Sequence, residues 1–183
     1  MIPSAPFVAA DVRADGVKMQ LMRMVIDGPE FAKRGSRVGG EIAVAELSRL
    51  VEYLADQSGK LDCEVQGGRS DDGNGRFELR LSVDGELQLR CQRCLEAMRY
   101  PLQLRRRLRL VAPGAEWPED DVEDEDFDAI EASKEMVVGS LIEDEVLLVL
   151  PVSPRHDVCG TPRSRDAKQD ASPFAVLRKL KID

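Results

Sequence analysis

Phe77-Glu78-Leu79-Arg80-Leu81-Ser82-Val83, Leu87-Gln88-Leu89-Arg90-Cys91-Gln92-Arg93-Cys94 and Tyr100-Pro101-Leu102-Gln103-Leu104 together decide the fold. From Phe77 to Cys91 the apolar residues Phe77, Leu79, Leu81, Val83, Leu87, Leu89 and Cys91 all stand at odd positions. From Tyr100 to Leu110 they are Tyr100, Leu102, Leu104, Leu108 and Leu110, all at even positions. A period of two marks one face of a strand. Cys91-Gln92-Arg93-Cys94 therefore reads as a tight turn between two antiparallel strands, an arrangement that offers two thiolates to one metal. Asp84-Gly85 is also a hairpin signal. A two-residue hairpin there would set Val83 against Glu86 and Leu81 against Gln88, apolar against polar. One long strand with a bend or bulge at Gly85 keeps the apolar residues on one side and is the preferred reading. A three-residue loop would also restore the register.

Working outward, residues 1–16 read as an extended arm and Val17 to Ile26 as a strand, broken by Gly28-Pro29 and by the glycines from Gly35 to Gly40. Ile42, Val44, Leu47, Leu50, Val51 and Leu54 recur at helical spacing and predict an amphipathic helix over 41–56. Leu61, Cys63 and Val65 alternate as a short strand, with Cys63 on its inward face. Val137 to Leu150 predicts a helix over 139–150, opened by Gly139-Ser140, with Glu143, Asp144 and Glu145 in its early turns and Pro151 as its stop. Residues 152–172 read as a loose tail and 173–181 as a short terminal helix with Phe174, Leu177 and Leu180 as its apolar stripe. The expected fold is α+β in a single domain over 1–183. It is an antiparallel sheet of about four to six strands, open or barrel-like, with the Cys-x-x-Cys turn between its two long strands and two or three helices covering it.

The chain has 183 residues, enough for a real core, and with 43% apolar but only 4% aromatic residues that core must be Leu, Val, Ile and Ala. A net charge of −8 argues against nonspecific nucleic-acid binding by the whole molecule. Residues 97–115 carry Arg99, Arg105, Arg106, Arg107 and Arg109 and no acid, whereas 116–128 carry nine acids and no base. So acidic a block predicts a solvated, flexible loop over 113–133. No apolar stretch is long enough to span a bilayer, and Met1-Ile2-Pro3-Ser4 lacks the pattern of a secretion signal, so cytoplasm is expected and no membrane partner. In a reducing compartment the four cysteines are metal ligands or free thiols.

Cys91 and Cys94 supply two zinc ligands, and His156-x-x-Cys159 holds the chain's only histidine and only later cysteine. Together they form a candidate Cys3His zinc site. The sequence separation leaves a second reading open, with Cys91 as a small core residue and Cys94 as a free thiol. A thioredoxin-type pair opens a helix; this pair joins two strands, which speaks against redox use. If the leucines point inward, Arg80, Arg90, Arg99, Arg105, Arg107 and Arg109 share the outer face, a surface suited to RNA phosphates. The opposing reading is a solvated face neutralised by the acidic loop. Arg106 falls on the inward parity, so the strand is expected to end or twist there. No Gly-rich phosphate loop or nucleophile elbow is visible, and no enzyme site can be assembled.

Leu89 to Glu96, then an acidic spacer, then Leu141 to Val152, then Pro173-Phe174-Ala175-Val176-Leu177 with Leu180-Lys181, resembles the bacterial YceD family of large ribosomal RNA subunit accumulation proteins. The likeness runs to the C-terminus, and residues 1–60 match more loosely. Some relatives carry further cysteines after the position of Cys159; this chain has only His156 and Cys159 there. The resemblance implies a cytoplasmic, non-enzymatic factor in synthesis, processing or assembly of large-subunit ribosomal RNA. Its implied partner is that RNA or a pre-ribosomal particle. The alternative is an adaptor whose acidic loop and terminal helix recruit a basic ribosomal protein or an RNA-processing enzyme without touching RNA.

Overall fold

The computed structural model describes residues 21–70, 75–115 and 127–159. In chain order the elements are β1 (Val25–Ile26), α1 (Gly28–Lys33), β2 (Arg37–Ala43), β3 (Leu54–Asp56), β4 (Lys60–Arg69), β5 (Phe77–Arg90), β6 (Ala97–Val111), β7 (Asp128–Glu131), β8 (Met136–Val137) and α2 (Val138–Val149). Six strands form one open sheet in the order β2-β4-β5-β6-β7, with β3 beside β5. Among the described residues the sheet does not close into a barrel. The arm 1–16, most of the acidic loop, the later part of the tail and the helix 173–181 lie outside the described residues. No helix among the described residues is long and apolar enough to cross a membrane.

The alternating pattern becomes the centre of the sheet. β5 and β6 pair antiparallel without a slip, from Glu78 opposite Arg109 to Arg90 opposite Ala97. Asp84-Gly85 is not a turn: β5 runs straight through it. No bulge interrupts β5 against β6; instead the neighbour on the other edge changes at this point. Leu61 of β4 faces Gly85, and β3 takes over with Leu54 opposite Leu89. A Cβ on Gly85 would sit 2.6 Å from Leu61 Cδ2 and 3.0 Å from the Lys60 carbonyl oxygen, so the changeover needs a residue without a side chain.

One face of the sheet is the core. Leu79, Leu81, Val83, Leu87 and Leu89 of β5 meet Leu102, Leu104 and Leu108 of β6, Leu61, Cys63 and Val65 of β4, and Val138, Ile142 and Val146 of α2. Each such side chain contributes about 1.5–3 kcal/mol by leaving water. α2 matches the expected helix closely, but its acids are not in the first turn. They reach sideways instead: Glu143 accepts from the Arg49 backbone N–H at 2.7 Å and from its Nε at 3.0 Å. Gly139 serves close packing, since a Cβ there would lie 2.5 Å from the Met22 backbone.

The helix expected over 41–56 does not form. Ile42 ends β2, Leu54 opens β3, and between them Leu47 N donates to Val44 O, Leu50 N to Leu47 O and Tyr53 N to Leu50 O, each three residues back. Val44, Leu47 and Leu50 are fully buried along this tight path. A 3-10 path has three residues per turn, and over so short a run its apolar period cannot be told from 3.6. The strand expected over Val17 to Ile26 shrinks, within the described residues, to a 3-10 turn at Leu21–Arg23 and the two-residue β1, which pairs with β8. The acidic loop is shorter than 113–133, because Asp128–Glu131 is β7, parallel to β6. Arg106 neither ends nor bends β6: it stays on the inner face, its Nε 3.6 Å from Glu145 and 3.9 Å from Asp128.

Candidate metal centre and guanidinium face

β5 ends one residue before Cys91, which keeps the inward parity and is fully buried. The connection to β6 is pinned by Leu95 N donating to Cys91 O at 2.9 Å and by Cys91 N donating to Glu96 O at 2.9 Å. Leu95 takes a φ of 65°, the left-handed region that a tight reversal demands. α2 runs past β6 toward this turn, placing its Glu145 near Arg106 and its Val149 carbonyl 3.3 Å from the Tyr100 hydroxyl. The chain after α2 therefore arrives at the turn, and Gln92 N donates to Pro154 O at 2.8 Å.

This docking closes the long sequence gap. Cys91, Cys94, His156 and Cys159 each offer a ligand atom, and all four atoms lie within 4.8 Å of one another. Cys91 Sγ is 3.9 Å from Cys159 Sγ, and Cys94 Sγ is 3.4 Å from His156 Nδ1. Zn–S bonds of about 2.3 Å and Zn–N bonds of about 2.0–2.1 Å at tetrahedral angles put S···S at about 3.8 Å and S···N at about 3.5 Å. These two spacings fit. All four cysteines are free thiols, and a 3.9 Å separation is far beyond a disulfide bond. His156 Nε2 lies 3.2 Å from the Ala97 carbonyl oxygen. Only an N–H bonds there, which assigns the proton to Nε2 and leaves the Nδ1 lone pair facing Cys94. Three thiols and one imidazole are a soft donor set suited to zinc and unlike an oxygen-lined calcium site. The part of the expected loose tail from 152 to 159 is thus irregular in backbone yet docked.

The thiols are not equivalent. Burial pushes the Cys91 thiol up, but the backbone N–H groups of Cys94, His156 and Arg93 outweigh it and hold it at about 5. At Cys94 the Glu96 N–H favours the thiolate, yet burial and the neighbouring Cys91 and Cys159 sulfurs leave it raised. Cys63 is pushed up to about 12 by burial, as suits an inert core thiol.

The register places Arg80, Arg90, Arg99, Arg105, Arg107 and Arg109 on the outer face, as parity predicts. Most are already paired. Arg99 grips Glu86 in a fork, Nε at 2.9 Å and Nη2 at 2.6 Å. Arg105 Nη2 is 2.8 Å from Asp84. Arg80 Nε and Arg107 Nη2 share Glu78, at 2.6 Å and 3.1 Å, and Glu78 is completely buried beneath them. The guanidiniums of Arg107 and Arg109 lie 3.9 Å and 4.5 Å from the centre of the Phe127 ring. Arg109 is itself buried. Arg90 is exposed and has no carboxylate partner among the described residues. The face is therefore partly neutralised, since three acids of β5 itself pair with four of its six arginines. The acidic run contributes differently: its last member, Asp128, approaches Arg106 on the opposite face. Glu78, Asp84 and Glu86 were missed as site residues although their even positions put them beside Arg80. Arg93 was missed because nothing in the sequence says where it points.

The matching family model is described as large ribosomal RNA subunit accumulation protein YceD and covers residues 79–181, more than half of the chain. The large ribosomal RNA subunit accumulation protein YceD of Haemophilus influenzae is 28% identical over 171 residues, spanning 86% of this chain and 95% of the relative. No solved structure matches. The matched region contains β5 from Leu79 onward, all of β6, the Cys-x-x-Cys turn and the loop that meets it, and on that match the chain belongs to the YceD family.

Proposed function

We propose that this protein is a cytoplasmic, non-enzymatic factor supporting the accumulation of large-subunit ribosomal RNA, built around one structural zinc ion. The observation that carries the zinc is the convergence of Cys91, Cys94, His156 and Cys159 within 4.8 Å, inside the region that matches the family. Bound zinc would supply a cross-link; the residues do the rest. Cys91 and Cys94 hold the end of the hairpin, while His156 and Cys159 fasten the chain after α2 to it. The thiols and the imidazole face one another, as ligands do. Native mass measurement of protein purified without chelator tests this, with one zinc per chain expected. A metal-free chain whose melting ignores chelators would refute the site.

RNA contact, in this reading, falls to the guanidiniums that stay most open. The side chains of Arg99 and Arg105 are 78% and 62% exposed, and Arg90 lacks a carboxylate partner among the described residues. Glu86 and Asp84 preset the guanidiniums and must share them with phosphate. Those same ion pairs favour the second reading, the adaptor. They cancel much of the positive charge that RNA would need, while the acids from Glu116 to Asp126 suit a basic ribosomal protein or RNA-processing enzyme. Binding of a large-subunit ribosomal RNA fragment as a function of salt separates the two. Replacing Arg99 and Arg105 by Gln weakens binding and flattens the salt slope by about one unit per lost contact if RNA is touched directly. A wild-type protein without RNA affinity at low salt leaves the adaptor.

A further inference from the structure

Arg93 stands between the two cysteines of the turn, and its guanidinium turns toward the other half of the cluster. Its Nε donates to Cys159 Sγ at 2.8 Å, and its Nη2 donates to the His156 carbonyl oxygen at 2.9 Å. One side chain thus bonds one ligand atom and the backbone of another ligand residue, across sequence separations of 66 and 63 residues. No carboxylate competes for it among the described residues, in contrast to the arginines of the sheet face.

The other ligands have their own restraints. Cys91 and Cys94 belong to the hydrogen-bonded turn, and His156 is oriented by the Ala97 carbonyl. Cys159 has no such anchor: Val158 before it is 92% exposed, and outside the ligand cluster its sulfur bonds Arg93. Charge points the same way. Zinc with three thiolates and a neutral imidazole carries one net negative charge in a half-buried place, and burying a net charge is costly unless it is paired. The Arg93 guanidinium cancels it, in a fork that also fixes the loop carbonyl.

We propose that Arg93 is a positioning residue of the metal centre, which holds the Cys159 thiolate in ligand geometry, neutralises the zinc-loaded cluster and shields Cys159 from attack. This rests on the zinc reading above. Outer-shell partners of metal ligands commonly contribute about 10–100-fold in affinity. A thiolate bonded to a cation is also a poorer nucleophile.

The test uses the full-length zinc-loaded chain and two variants, Arg93→Ala and Arg93→Lys. Zinc affinity is read by competition with a coloured chelator, and cysteine exposure by timed alkylation with iodoacetamide and peptide mass mapping. Arg93→Ala is expected to lose about 10–100-fold in zinc affinity, with Cys159 becoming the first cysteine alkylated. Arg93→Lys restores the charge without the fork; its affinity is expected between the other two, with Cys159 partly protected. If Arg93→Ala does not fold, the lysine variant decides: affinity and Cys159 labelling equal to wild type overturn the inference. Wild-type zinc binding with an unchanged alanine variant overturns the role of Arg93 and leaves the zinc site standing. A wild-type chain that binds no zinc overturns both.

Discussion

The metal end and the guanidinium face are built on the same two strands, yet they handle charge in opposite ways. At the end of the hairpin, groups of one kind converge: three sulfurs and an imidazole within 4.8 Å, with Arg93 as the one cation bonded to them among the described residues. On the face, opposite charges interleave, with Arg99 on Glu86, Arg105 on Asp84, and Arg80 and Arg107 on Glu78. Like donors packed together repel once they ionise and are stable only around an added cation. Mixed charges compensate one another and need nothing from outside. Crowding of donors is therefore a stronger sign of a ligand than the number of arginines.

The largest expected effect comes from taking the cation away. A structural ion present at about a thousand times its dissociation constant contributes about 4 kcal/mol. At about 2–4 °C per kcal/mol for a chain of this size, a strong chelator, or Cys94→Ser, lowers Tm by about 8–16 °C. Calorimetry with and without chelator reads this directly. Cys63→Ala serves as the contrast: it leaves a core cavity but does not alter the response to chelator. A chelator-insensitive wild type would put both regions in the self-compensated class.

The next effect breaks the face where it is buried. Glu78 is fully buried and serves two guanidiniums. Removing one member of a buried ionic set leaves the others uncompensated, at a cost of about 3–5 kcal/mol. Arg80 and Arg107 are 41% and 33% exposed and recover water, which lowers the expectation for Glu78→Gln to about 2–3 kcal/mol, measured by urea unfolding. A loss below about 0.5 kcal/mol would mean that the pairs on this face are ornamental.

These two regions were legible in the sequence to different degrees, for a physical reason. Alternation across 77–91 and 100–110 over-determines strands, since every apolar residue must lie on one side, and it fixed the inward and outward sets correctly through Gly85. The run from Val44 to Leu54 was misread because the burial of Val44, Leu47 and Leu50 constrains side chains and not the backbone path. The four ligands were nameable by residue type, but their meeting depends on the direction of α2, which no local pattern encodes. Glu78 was invisible in another way. Parity places it outward, and only the guanidiniums and the Phe127 ring stacked over that face show why an outward residue is dry.

A third test uses pH on the inner face, where Arg106 and Glu145 make an incomplete pair: both Arg106 Nε and Glu145 Oε2 are buried without a hydrogen bond. Burial, and then Asp128, raise the Glu145 carboxyl from its ordinary value, against the pull of Arg106. A raised folded-state value means that folding favours the protonated acid. That contribution is complete below the ordinary carboxylate range and is lost as pH rises through the raised value. Glu145→Gln cannot lose a proton, so its stability relative to wild type should grow as pH rises through the Glu145 titration, read by urea unfolding at a series of pH values. Parallel pH profiles for the two proteins would place Glu145 in the compensated class with the outer face.

The smallest effect on stability should carry the clearest consequence for binding. Glu86 and Asp84 are exposed partners on the outer face, and surface pairs of this kind contribute only about 0–1 kcal/mol. The hydrogen bonds from Arg99 lower the Glu86 carboxyl from its ordinary value, which favours the paired, ionised form. Glu86→Gln with Asp84→Asn removes two negative charges and frees Arg99 and Arg105 while leaving the strands in register. If RNA phosphates use this face, the double variant binds a ribosomal RNA fragment more tightly than wild type. Its salt dependence also steepens, by up to about one unit for each guanidinium newly given to phosphate. If the face is a self-contained ionic lattice, as its pairing allows, affinity stays where it was and recognition of the particle belongs to a protein contact. The double variant is the sharper experiment than deleting arginines, because a damaged fold readily explains a loss of binding, whereas a gain with unchanged Tm points to the freed guanidiniums.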